Sequence, residues 1–141
     1  MDTLTFQISN TSKDNINGVV AVPFINGHSL IDLIKEIEIQ YEPSIAGAYD
    51  GLRPDHLISE LMVGSMLDTT KSKILECECG VDGCWSLLIT VIKDDTTVTW
   101  TNFSQVHRDN WDYSSMKDFK FDRAQYEAAL RQLKQPAPNN G

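Results

Sequence analysis

Residues 85–93 constrain the fold most. Trp85, Leu87, Ile89 and Val91 alternate onto one face, and Leu88 and Ile92 put apolar side chains on the other. A strand that is apolar on both faces belongs inside a sheet. Lys93-Asp94-Asp95-Thr96 supplies a turn, and residues 97–103 return with a Thr-Val-Thr-Trp-Thr run that favours β structure. A further strand from about Lys73, through Ile74 and Leu75, leads into the same unit. The expectation is a three-stranded antiparallel meander with residues 85–93 at its centre.

The first element alternates too. Leu4, Phe6 and Ile8 point one way, and Thr3, Thr5, Gln7 and Ser9 point the other, as in a half-buried strand. Residues 10–17 are polar and residues 19–24 are β-branched and apolar, which predicts a hairpin with a long loop. Pro23 has no N–H to give a ladder, so it is expected at a strand end or an edge. Asn26-Gly27 breaks the strand. Ser29 caps a helix over residues 29–40, with Leu30, Ile31, Leu33, Ile34 and Ile37 facing a core and Lys35, Glu36 and Glu38 facing solvent.

Pro43, Gly47, Gly51 and Pro54 leave residues 41–70 room for only a short helix, from Asp55 as N-cap to Leu61. Residues 104–121 form an irregular aromatic segment. Asp122 caps the last helix, Gln125 sits at N3, and Phe121 and Tyr126 occupy the staple positions. The order is ββαβββα. The class is α+β: an antiparallel sheet of about five strands with two main helices, in one domain over residues 1–134, followed by a frayed tail at 135–141.

Size and charge exclude several functions. A chain of 141 residues, 41% hydrophobic, builds one ordinary core without staples. No apolar run approaches the ~20 residues that span a bilayer. The opening Met-Asp-Thr-Leu-Thr-Phe has neither a basic n-region nor an h-region, so a cytoplasmic location is expected. Net charge is 12 − 20 = −8. Such a surface repels phosphate backbones and anionic lipid, leaving no nucleic acid and no membrane among the expected partners. The acidity serves solubility or steers the chain toward a basic protein.

Three cysteines lie within eight residues, in Cys77-Glu-Cys79-Gly-Val-Asp-Gly-Cys84-Trp. Cys77 and Cys79 share a strand face, and a turn over Gly80-Val81-Asp82-Gly83 sets Cys84 opposite Cys79. Three arrangements follow. The sulfurs bind a structural zinc, with His107 as fourth ligand and Asp82, His28 or His56 as weaker ones. They stay reduced and buried as small hydrophobes. Or Cys79 and Cys84 form a redox pair, without a nearby cation to lower a thiol pKa.

The cysteine run, Trp100-Thr-Asn-Phe-Ser-Gln-Val-His-Arg, Trp111-Asp-Tyr and Phe119-Lys-Phe-Asp-Arg-Ala-Gln-Tyr together resemble a family of small uncharacterised bacterial proteins. The similarity runs mainly over residues 74–130. Family members often carry proline where this chain has Ser86 and Val106. The resemblance implies a shared fold and no particular reaction.

His107-Arg108, with Trp100, Trp111 and Tyr113, is a candidate small-ligand pocket: Arg108 would grip a carboxylate or phosphate while the rings wall an apolar body. The alternative is a segment anchored by its aromatics, with Arg108 paired to Asp109 or Asp112. A cysteine nucleophile with His107 as base is conceivable, but no oxyanion hole, phosphate-binding loop or dinucleotide fingerprint accompanies it. The expected function is therefore non-enzymatic binding of a protein or a small ligand. One form is an immunity-type inhibitor that masks a basic toxin.

Overall fold

The computed structural model describes residues 1–11, 18–44, 46, 47, 49–62, 71–77, 86–105 and 111–134. The fold is α+β, with two antiparallel sheets and three helices among the described residues. The strands β1 (Leu4–Thr11), β2 (Gly18–Ile25) and β3 (His28–Ser29) form one sheet in that order. Helix α1 (Leu30–Glu38), β4 (Tyr49–Asp50) and α2 (Pro54–Met62) follow. Next come β5 (Lys71–Cys77), β6 (Ser86–Lys93), β7 (Thr97–Gln105) and β8 (Phe119–Asp122), and the chain continues into α3 (Arg123–Lys134). The larger sheet runs β4-β5-β6-β7-β8.

The expected meander is present, and β6 is its central strand, with Leu87, Ile89 and Val91 buried and Leu88 and Ile92 half-buried. The larger sheet reaches five strands by a route the sequence did not suggest. Its outer members are β4 and β8, while β1 and β2 belong to the other sheet. Asn26 and Gly27, with φ of 55° and 85°, do more than end β2. They make a two-residue turn with both φ positive, the backbone that joins β2 to β3 as a tight hairpin.

Pro23 is at neither a strand end nor an edge strand; it pairs with Phe6 in mid-β2. The Ala21 N–H points away from β1 to the Leu52 carbonyl (2.8 Å), so alternation turns the Pro23 nitrogen the same way. It falls between that bond and the short β3 ladder, where no donor is needed. Gly51 permits this approach of the two backbones: a Cβ there would sit 2.2 Å from the Ala21 oxygen.

Helix starts follow local chemistry. The Ser29 hydroxyl accepts from the Ile31 N–H at 3.2 Å. Helix α2 begins at Pro54, not after an Asp55 cap, because proline suits the first helical position and the Leu57 N–H closes onto the Arg53 carbonyl. The far end of α2 is held by β-strand donors: the Ser72 hydroxyl on the Glu60 carbonyl (3.0 Å) and the Lys93 ammonium on the Met62 carbonyl (2.5 Å). Asp122 caps α3 through the Gln125 N–H (3.0 Å), and Phe121 meets Tyr126 at 5.6 Å. The Gln125 amide reaches β1 instead of its own cap. It donates to the Leu4 carbonyl (2.6 Å) and accepts from the Leu4 N–H (3.0 Å), tying α3 to the smaller sheet.

Trp100, Phe121, Tyr126, Leu61 and Ile74 lie fully buried between the larger sheet and the helices. No helix among the described residues is long and apolar enough to cross a membrane.

Candidate functional site

One end of the larger sheet buries polar groups. There β5 ends at Cys77, β6 begins at Ser86 and β7 ends at Gln105. Tyr49 of β4 lies opposite Cys77. Glu38, the last residue of α1, is 0% exposed, against the expectation that it faces solvent. The stripe that begins Leu30, Ile34 continues to residue 38 at the same four-residue spacing, so the carboxyl group is carried inward with the apolar face.

Three donors meet that carboxylate. The Tyr49 and Tyr113 hydroxyls both donate to Oε2, and the Gly47 N–H donates to Oε1 at 2.9 Å. Gly47 adopts φ 70°, the left-handed backbone that aims its N–H at Glu38. Gln105, 4% exposed, donates from Nε2 to the Tyr49 oxygen at 2.7 Å, and its Oε1 has no hydrogen-bond partner among the described residues. Burial, and then the hydrogen bond to the Glu38 carboxylate, push both phenols well above their ordinary value of 10.0. The phenols stay protonated donors, and the carboxylate is occupied by them. The arrangement clamps α1, β4, the end of β7 and the Tyr113 segment together. Among the described residues it offers no free acid or base.

Gln105 reaches this site through a bulge. The β6–β7 register slips between Leu88 and Thr90, and Asn102 takes φ 56°. Before it, Val98 and Trp100 face inward; after it, Phe103 and Gln105 do. An extra residue therefore puts Trp100 and Gln105 on the same face although their numbers differ by an odd count.

On the surface beside the clamp, Tyr41 and Trp111 stack at 5.4 Å with an interplanar angle of 12°. Tyr41 is 39% exposed and Trp111 half-buried. The Tyr41 oxygen accepts from the Asp112 N–H (3.0 Å) and donates to its carbonyl (3.4 Å). The Asp112 carboxyl is held below the usual carboxylate range by the Ser114 side chain and N–H. Glu42 is exposed next to Tyr41 and accepts from Ser44.

The expected site residues divide. Trp111 and Tyr113 are brought together here. Trp100 is not: it is 0% exposed near the middle of β7, donating to the Tyr126 oxygen at 3.2 Å within the core. His107 and Arg108 lie outside the described residues, as do Cys79, Cys84, Asp82, Trp85 and the turn at residues 80–83. Cys77 is described in its backbone only. His28 is exposed on β3 and His56 on α2. No group of three or more His, Cys, Asp or Glu among the described residues is placed to hold a metal. Glu38, Tyr49, Gln105 and Tyr41 were missed, and only the continued four-residue spacing to Glu38 signalled any of them. Clefts elsewhere flank α2, one of about 290 Å³ against Ile58, Met62 and Leu130 and one of about 210 Å³ against His56, Ser59 and Lys73.

No family model, no curated protein and no solved structure matches this chain.

Proposed function

We propose that this chain is a non-enzymatic interaction protein that recognises a basic partner through the Tyr41–Trp111 pair. The observation that carries the proposal is a stacked tyrosine–tryptophan pair, fixed at the surface by the Asp112 backbone and flanked in sequence by two exposed carboxylates, Glu42 and Asp112. Tyrosine and tryptophan are the residues that most often anchor protein interfaces. An aromatic face beside a carboxylate suits a lysine or arginine side chain, by cation–π contact and ion pairing together. The net charge of −8 favours the same partner at longer range. The clamp beneath supports binding over catalysis, since its titratable groups are spent on one another and hold the platform rigid. An immunity-type inhibitor of a basic toxin is one protein of this description.

The test is paired affinity capture with wild type and Trp111→Ala, at low and high salt. A partner of high pI that wild type retains at low salt, and that is lost both on substitution and at high salt, supports the proposal. Equal capture by both proteins, or capture indifferent to salt, overturns it.

A further inference from the structure

We infer that Glu38 is the positioning residue of the Tyr41–Trp111 pair, an assignment that rests on the reading of that pair as a binding platform. Each ring is tied to this one residue by a separate route. The Glu38 carbonyl accepts from the Tyr41 N–H (2.9 Å) and the Glu42 N–H (3.1 Å), which turns the chain back directly after α1. The Glu38 carboxylate then closes the same loop, its Oε1 taking the Gly47 N–H at 2.9 Å. Tyr41 and Glu42 therefore sit in a loop fastened to Glu38 near both its beginning and its end. The other carboxylate oxygen, Oε2, takes the Tyr113 hydroxyl, and Tyr113 lies two residues after Trp111.

The anchor is sheltered where the platform is not. Glu38 and Tyr113 are buried, while the bonds between the Tyr41 oxygen and the Asp112 backbone are exposed. Exposed neutral bonds exchange with water at little net cost, whereas bonds to a buried carboxylate are stronger and costly to leave unmade. The order of the pair is thus set from beneath. Rings already held in place bind more tightly, because less freedom is lost when the partner arrives. Glu38 is itself out of a partner's reach, and it acts through Tyr41 and Trp111.

Fluorotryptophan labelling tests it on the chain alone. The three tryptophans give three fluorine signals, and Trp100→Phe and Trp111→Phe assign two of them. Tyr113→Phe keeps the ring and removes the hydroxyl that Glu38 holds. It should move the Trp111 signal toward its position in the unfolded chain and leave the Trp100 signal in place. Gly47→Ala strains the other arm, with φ 70° and a Cβ 2.9 Å from the Lys35 Cβ, and should also move the Trp111 signal. Tyr126→Phe takes a buried hydroxyl from Trp100 instead, and should move the Trp100 signal alone. A Trp111 signal unmoved by both Tyr113→Phe and Gly47→Ala overturns the inference. So does one that moves as far in Tyr126→Phe, since any buried hydroxyl would then serve. Retention of a captured basic partner should weaken about fivefold in Tyr113→Phe. Movement of the signal in a chain that captures no such partner upholds the positioning and overturns the platform reading alone. Capture through Trp111 with an unmoved signal does the opposite.

Discussion

The middle and the end of β7 bury tyrosine hydroxyls by opposite means. Near the middle Trp100 packs edge-on against Phe121 (5.0 Å) and Tyr126 (6.1 Å), and the Tyr126 hydroxyl is shared between the Trp100 N–H and the Leu61 carbonyl. Every group there is neutral, and shape does most of the stabilising. Beside its last residue, Gln105, Tyr49 and Tyr113 converge on the buried Glu38 carboxylate, where matching of donors to an acceptor decides the outcome. One sheet thus joins a pole that tolerates error in polarity poorly to a pole that tolerates error in volume poorly.

The largest expected effect falls on the apolar pole. Trp100→Ala removes a fully buried ring and leaves a cavity between the sheet and α3, at a cost of about 3–5 kcal/mol in urea or guanidinium unfolding. A loss under about 1 kcal/mol would mean that the two poles do not differ as described.

At the polar pole the same order of loss should be recoverable. Glu38→Leu orphans two phenols and the Gly47 N–H, and Tyr49→Phe with Tyr113→Phe leaves the carboxylate only that N–H; each should cost about 3 kcal/mol. The triple variant removes both phenols along with the carboxylate, leaves the Gly47 N–H and the Gln105 amide as the unpaired donors, and should regain about 2 kcal/mol of the summed loss. Simple additivity across the cycle would show that the clamp is incidental to the packing around it.

Alkali separates the poles further. A phenol whose folded value is raised contributes stability that is complete below its unfolded value and is lost as pH climbs above it. Tyr49 and Tyr113, raised by burial and by the bond to Glu38, should make wild type lose stability as pH passes 10.0. The double Tyr→Phe variant, though less stable at neutral pH, should fall off more slowly over that range, with the raised Tyr126 and the lowered Lys93 acting in opposite directions on what slope remains. Identical slopes in thermal melts at rising pH would contradict the burial of these two hydroxyls.

Much of the apolar pole was legible in the sequence and little of the polar one. Period-two alternation marked β6, and Asp122 with Phe121 and Tyr126 marked the start of α3, because those signals are local. Strand β8 escaped, although Phe119 and Phe121 alternate with Lys120 and Asp122, because four residues are too few to set a period apart from chance. Gln125 was expected at its own cap, and the backbone of Leu4, some 120 residues away in sequence, won it instead. Sequence alone places Glu38 in solvent, because carboxylates usually are. Its burial depends on donors from Tyr49 and Tyr113, which no spacing connects to it.

The smallest expected effect lies where the poles join. Asn102 holds φ 56° at the bulge, a region asparagine tolerates and β-branched residues do not. Asn102→Gly should cost less than Asn102→Val, because glycine adopts that backbone freely. Asn102→Val should cost about 1–2 kcal/mol, by forcing the strand either to bear the strain or to surrender the extra residue. Surrender would have a recognisable signature. Without the bulge, alternation from Trp100 turns Phe103 and Gln105 toward the other face, so the Tyr49 hydroxyl loses its Gln105 partner while the Trp100–Tyr126 contact persists. Hydrogen exchange should then quicken around Tyr49 and Gly47 and stay slow in α3. Equal quickening at both would mean that the bulge supports the sheet as a whole and does not serve as the joint between its two poles.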